Sequence, residues 1–242
     1  MIELEHAHGV AVVRMHEHRC GALTPSTLDR VVAALRYVGD SYAVVLTGWD
    51  DVFSRGWAGG DAELLERAVL AVAHHPTPVV AAIAGDALGA GYALAAAADA
   101  RVMSAGRLGL AATDGRVLSE GQLGVAAAAE AGVLSAGQLG VAATDGRVLS
   151  EGQLGVAAAA DARALSEGQL RPATALLTPE VEAVLRWQAG AAWRAISVGE
   201  KTFDAEAALL AGLVEATCAP GEVVRAAVER AALLAGPTRQ FC

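Results

Sequence analysis

The sequence predicts an α/β fold, on two observations. Residues 42–61 (YAVVLTGWDDVFSRGWAGGD) and 78–99 (PVVAAIAGDALGAGYALAAAAD) each run from an apolar strand into a glycine-bearing turn. Short apolar runs such as Val44, Val45 and Leu46 before Gly48, or Val79, Val80 and Ile83 before Gly85, suit strands buried on both faces. The composition agrees: 242 residues can enclose one sizeable core, with 54% apolar but only 4% aromatic residues. Much of the apolar share is alanine, so helices and sheet are expected to approach closely.

Taken in order, residues 1–16 read as a hairpin, with IELEHA and VAVVRM flanking His8-Gly9 in alternating pattern. Thr24-Pro25 carries an N-cap and first-turn signature, and Val31, Val32, Leu35 and Val38 give the helix after it an apolar stripe. A strand over 42–47 and a glycine loop over 48–60 come next. The spacing then predicts a helix over 61–75 with Leu64, Leu65, Ala68, Val69 and Val72 inward, Asp61 at its N-cap and His74-His75 at its C-terminus. Pro76 and Pro78 close that helix and open a strand over 79–84. A helix over 92–98 follows the second glycine turn, and another spans 226–234.

The middle of the chain repeats itself. AATDGRVLSEGQLGVAAAA stands at 111–129 and again at 142–160, a period of 31 residues with half-units of 15 or 16. Fixed periods of this kind mark stacked repeats. A duplicated structural segment and a duplication without selected function both fit. Ser119 to Gln122 and Ser150 to Gln153 also match a capping box before an apolar run.

A net charge of −9 offers no basic footprint for nucleic acid or anionic membranes. The opening MIELEHAHGV lacks the charged and apolar regions of a secretory signal, and no apolar run reaches membrane-spanning length. Cys20, Cys218 and Cys242 form no CxxC pair, which fits a reduced, cytoplasmic protein. His16-Glu17-His18 lacks metal-helix spacing, so no metal is expected.

Two strand-to-glycine turns side by side would aim two backbone N–H groups at one oxygen, which is what a developing oxyanion needs. Three ordered segments then carry a resemblance. AVVLTGWDDVFSRGW is similar to the VVLTG…FSAGAD segment of the crotonase superfamily, the enoyl-CoA hydratase/isomerase family. PVVAAIAGDALGAGYALAAAAD resembles that family's second oxyanion-hole segment, and GEKTFDAEAALLAGLVEATCAPGEV its C-terminal TGRRFDAEEALRLGLV segment. The resemblance covers roughly residues 1–104 and 185–235. It implies one domain with a crotonase-like ββα spiral core, here with an atypical duplicated middle segment over 105–184 and a shortened C-terminal helical region.

The resemblance also implies the site. Its two oxyanion-hole amides fall on Trp57 and Ala90, with Gly56, Gly89, Gly91 and Tyr92 as substrate-binding positions. The family's two catalytic glutamates are missing: the first position holds Ala93, and the second falls on Ala112 or on residues 172–174. Asp61, Asp114 and Glu180 are the candidate acids, and Asp86 rims or caps the second turn. The implied substrate is an acyl thioester of coenzyme A or of an acyl carrier protein, in polyketide or fatty-acid metabolism, with no separate cofactor. A trimer-based homo-oligomer is implied as well, without the further helices that usually pack its subunits. The alternative is a non-catalytic crotonase-like protein that binds acyl thioesters or serves structurally.

Overall fold

The computed structural model of the chain describes residues 2–7, 9–15, 21–57, 62–110, 177–198 and 202–236. The N-terminal hairpin forms as expected. Strand β1 (Ile2–Ala7) pairs antiparallel with β2 (Val10–Met15). Helix α1 (Pro25–Val38) then begins at Thr24, whose hydroxyl accepts the Thr27 N–H at 3.1 Å, with Pro25 in the first turn. All four residues of its expected stripe are buried.

The core winds through repeated β-β-α turns. In the first, β3 (Ala43–Thr47) leads into β4 (Val52–Ser54) and α2 (Ala62–Ala73). In the second, β5 (Val79–Ile83) leads into β6 (Asp86–Leu88) and α3 (Ala90–Ala96). A third pair, β7 (Ala100–Met103) and β8 (Leu108–Gly109), comes next. The first strands of the turns share a six-stranded sheet, order β1-β2-β3-β5-β7-β9, with β9 at Ala216–Thr217. The second strands form a separate parallel sheet, β4-β6-β8.

Both faces of the large sheet are covered, which explains the continuous apolar runs. Val44, Leu46, Val79, Ala81, Ile83 and Met103 join one core with α1, α2 and α3. Val45, Val80, Ala82, Ala100 and Val102 face the opposite way, against Val223, Ala227, Val228 and Ala231 of the C-terminal helix, Val223–Ala235. Between β8 and β9 lie α4 (Pro179–Ala189), a 3-10 turn (Gly190–Ala192), α5 (Trp193–Val198) and α6 (Ala205–Leu210); Val223–Ala235 is α7. The described residues fall within one compact unit.

Three expectations change. The glycine loop over 48–60 and the turn after Ile83 contain strands β4 and β6, each too short for alternation to show. Helix α3 begins at Ala90 rather than 92, because Gly89, at φ 53°, completes the turn one residue after β6. Helix α2 ends at Ala73, and His75 instead points its ring nitrogens at the carbonyls of Thr77 (3.0 Å) and Leu35 (3.2 Å). The repeats, Asp61, Asp114 and the His16-Glu17-His18 run lie outside the described residues.

Candidate active site

The small sheet brings the two glycine turns together. Val52 and Ser54 of β4 stand opposite Asp86 and Ala87 of β6. Each turn continues past the end of its own strand, at Gly56 and at Gly89. Gly91, in the first turn of α3, lies directly on Ser54: a Cβ at Gly91 would sit 2.6 Å from the Ser54 Cβ and 2.7 Å from its carbonyl oxygen. Only glycine permits that approach. Trp57 follows Ser54 by three residues on the first turn and bridges to Leu23, while Ala90 immediately precedes Gly91 on the second.

Peptide geometry sets where their N–H groups point. The Gly56 carbonyl accepts the Leu23 N–H at 2.9 Å. In a trans peptide the carbonyl and the next N–H are antiparallel, so the Trp57 N–H points away from Leu23. Likewise the Gly89 carbonyl accepts the Ala93 N–H at 3.0 Å inside the helix, which turns the Ala90 N–H outward from the helix end. Neither N–H has an acceptor among the described residues. Ala90 is 7% exposed and Trp57 half-buried, so a ligand oxygen there would be largely out of water.

Ser54 ties the first turn down. Its buried hydroxyl lies 3.3 Å from the carbonyls of both Gly21 and Gly56 and accepts the Gly56 N–H at 3.4 Å. The Arg55 N–H also donates to the Gly21 carbonyl, at 2.7 Å. Nothing in the sequence singles out Ser54, because one serine in a loop carries no pattern.

Of the three expected acids, only Glu180 is among the described residues. Glu180 is an exposed residue in the first turn of α4, after the N-cap Thr178, where a carboxylate complements the helix end. Asp86 staples the second turn: one oxygen accepts the Arg107 N–H at 3.0 Å and the other lies 3.6 Å from the Arg55 guanidinium. Ala93 is fully buried and carries no proton. Tyr92 is 1% exposed and packed in the main core, and burial pushes its phenol far above the ordinary range, against a smaller opposing pull from Arg101.

Arg101, on β7, is a second residue that no sequence pattern marks. It is 6% exposed. Its Nε donates to the Leu213 carbonyl at 2.6 Å, and Nη1 reaches the carbonyls of Ala96 (3.3 Å) and Ala98 (2.8 Å) and the Gln188 side-chain oxygen (3.3 Å). Burial pulls the guanidinium below its ordinary range, while Tyr92, Glu215 and Asp99 favour the charged form. The Asp99 carboxylate accepts the Val79 N–H at 2.8 Å, holding the start of β5.

Comparisons with known proteins agree with this architecture. A family model described as enoyl-CoA hydratase/isomerase matches residues 5–163. Over 109 residues the chain is 39% identical to the protein named probable enoyl-CoA hydratase EchA17 of Mycobacterium tuberculosis, covering 39% of this chain and 42% of that protein. The corresponding protein of Mycobacterium avium is 38% identical over 109 residues. The chain thus spans about two fifths of the length of the curated relatives it matches. Among solved structures, Pseudomonas aeruginosa DspI aligns with TM-score 0.63 at 21% identity, over 97% of this chain and 74% of that one. An enoyl-CoA hydratase/isomerase family protein from Silicibacter pomeroyi aligns with TM-score 0.63 at 18% identity, over 99% and 84%. The wound ββα core and the family match over residues 5–163 lead to one assignment: the chain belongs to the enoyl-CoA hydratase/isomerase family, the crotonase superfamily.

Proposed function

We propose that the chain binds an acyl thioester, of coenzyme A or of an acyl carrier protein, and stabilises its enolate between the Trp57 and Ala90 N–H groups. The observation that carries this reading is the contact of Gly91 on Ser54, which sets the two glycine turns side by side. A thioester carbonyl gains negative charge on oxygen as the α-proton leaves or as a nucleophile adds at the β-carbon. Two preorganised donors favour that charged state over the neutral carbonyl, and one such donor typically contributes about 10²–10³ in rate. Gly56 and Gly89, beside the two N–H groups, put no side chain between the backbone and an approaching thioester, Gly91 lets the second turn close on Ser54, and Tyr92 supports the turn from the core.

Ala93 restricts the chemistry open to such an enolate. Alanine moves no proton, so the reading favours reactions that need the enolate more than a glutamate pair: isomerisation, decarboxylation, or hydration with the acid placed elsewhere. Asp61 and Asp114 stay candidates for that acid, and Glu180, exposed on α4, is the weakest of the three. The same alanine favours a second reading, in which the chain binds acyl thioesters without turning them over.

Acetoacetyl-CoA tests the site without requiring any acid or base from the protein. Its enolate absorbs in the near ultraviolet, so the enolate-to-keto ratio of the bound probe can be titrated against pH. The expected result is a larger enolate fraction bound than free. Ala90→Pro removes one N–H at the first helical position, where proline is accommodated, and is expected to lower the ratio by about 10²-fold. An unchanged ratio in a folded Ala90→Pro variant would remove Ala90 from the site. Turnover of an acyl-CoA panel, followed by mass spectrometry, separates the enzyme from the binder.

A further inference from the structure

The buried Arg101 guanidinium reaches three separate elements and has no ion-pair partner among the described residues. Two of its bonds go to the carbonyls at the end of α3, Ala96 and Ala98. A third goes to Gln188 on α4, whose own amide donates to the Ala98 carbonyl at 3.4 Å. The last goes to the Leu213 carbonyl, after α6. Removing a cation from water is costly unless polar partners replace the lost hydration, and here Nε and Nη1 are met by backbone carbonyls and the Gln188 side-chain oxygen rather than by a carboxylate.

Helix α3 needs such an anchor. Its sequence, AGYALAA, holds only two large side chains, Tyr92 and Leu94. The residues around them are small, so interlocking of side chains contributes less here than in a helix of larger residues, and directional bonds matter correspondingly more. Directional bonds from a rigid planar fork supply the missing constraint, and lysine cannot reproduce them.

We propose that Arg101 is a positioning residue: by gripping the C-terminal carbonyls of α3 and tying them to α4 and the Leu213 carbonyl, it seats the helix so that the Ala90 N–H meets the thioester oxygen. This inference rests on the proposed enolate-stabilising site. A shift of about 1 Å in a reacting group can cost about 10²-fold, so a loosened helix is felt at Ala90 even though Arg101 touches no substrate.

The test compares Arg101→Met, Arg101→Lys and Gln188→Leu with the unaltered chain, reading thermal unfolding and the enolate-to-keto ratio of saturating acetoacetyl-CoA. Arg101→Met is expected to keep probe affinity within about threefold while the bound enolate ratio falls about tenfold. Arg101→Lys, which keeps charge but not the fork, is expected to recover only part of it. Gln188→Leu removes one tie at a half-buried position and stands in should the arginine variants fail to fold; it is expected to lower the ratio by about threefold. Lower melting with an unchanged enolate ratio would make Arg101 purely structural, and full recovery by lysine would make its charge, not its grip, the active property. Either outcome overturns the proposal. An unaltered chain that shows no enolate enrichment, or an Ala90→Pro variant that matches it, removes the enolate site itself, and the role of Arg101 falls with it.

Discussion

At the scale of single residues, the junction between Ser54 and Gly91 decides how close the two turns come. Alanine at Gly91 would gain about 1 kcal/mol of helix propensity but would press on the Ser54 carbonyl, an overpacking that typically costs about 1–3 kcal/mol. Gly91→Ala is therefore expected to be destabilised by up to about 2 kcal/mol in chemical denaturation, with the bound enolate fraction of acetoacetyl-CoA reduced; a variant of raised stability would show that the neighbours give way freely. Ala93 makes a separate prediction. General acid–base help is worth about 10²–10⁴ in rate, so hydration of crotonyl-CoA should fall at least about 10²-fold short of an ordinary hydratase. A turnover number in the usual hydratase range would mean that another residue supplies the acid. The two glycine turns were legible from their local pattern, and the family resemblance implied the proposed amides at Trp57 and Ala90. Ser54 and Arg101 were not, since a lone serine and a lone arginine acquire meaning only through the carbonyls that the fold brings to them.

At the scale of elements, capping chemistry explains where helices start. Thr24→Ala removes the acceptor of the Thr27 N–H and is expected to cost about 1 kcal/mol, measurable as a lower denaturation midpoint with an unchanged slope. The same Thr-Pro signature stands at Thr178-Pro179, where the Thr178 hydroxyl accepts the Val181 N–H at 3.4 Å and opens α4. That start obeys the rule that locates α1. Strands β4 and β6 escape sequence patterning for a different reason. Three-residue strands show no period, and their pairing depends on a partner more than thirty residues away. Helix α3 starts two residues earlier than its sequence suggests because glycine at 91 reads as a turn, whereas in the fold it is a helical residue held open for Ser54.

At the scale of the whole molecule, the buried Tyr92 phenol couples stability to alkaline pH. Its proton is held more tightly in the folded chain than in the unfolded one, where the phenol titrates near 10. The stabilisation is complete below that value and is lost as pH rises above it, because only the unfolded state then releases the proton. Tyr92→Phe should flatten the fall in stability above about pH 10, read from denaturant midpoints across the alkaline range; an unchanged slope would assign that fall to other groups. The repeats make a second prediction at this scale. Excising residues 111–141, one period of 31, should leave a soluble, cooperatively folding chain with acyl-thioester binding intact, since repeat units contact mainly their neighbours. Loss of folding in that deletion would make the segment integral to the core.

The sequence by itself determined the α/β class, the buried apolar strands, the helix stripes and the two glycine turns. Those features are local: apolar period, capping residues and turn chemistry act within a few positions of one another. Tertiary structure alone decided that the turns meet, that a second sheet β4-β6-β8 aligns them, and that an arginine on β7 reaches the end of α3. Those outcomes depend on atoms far apart in the chain, and no periodicity records a contact between Ser54 and Gly91, or between Arg101 and Leu213, until the core has closed around them.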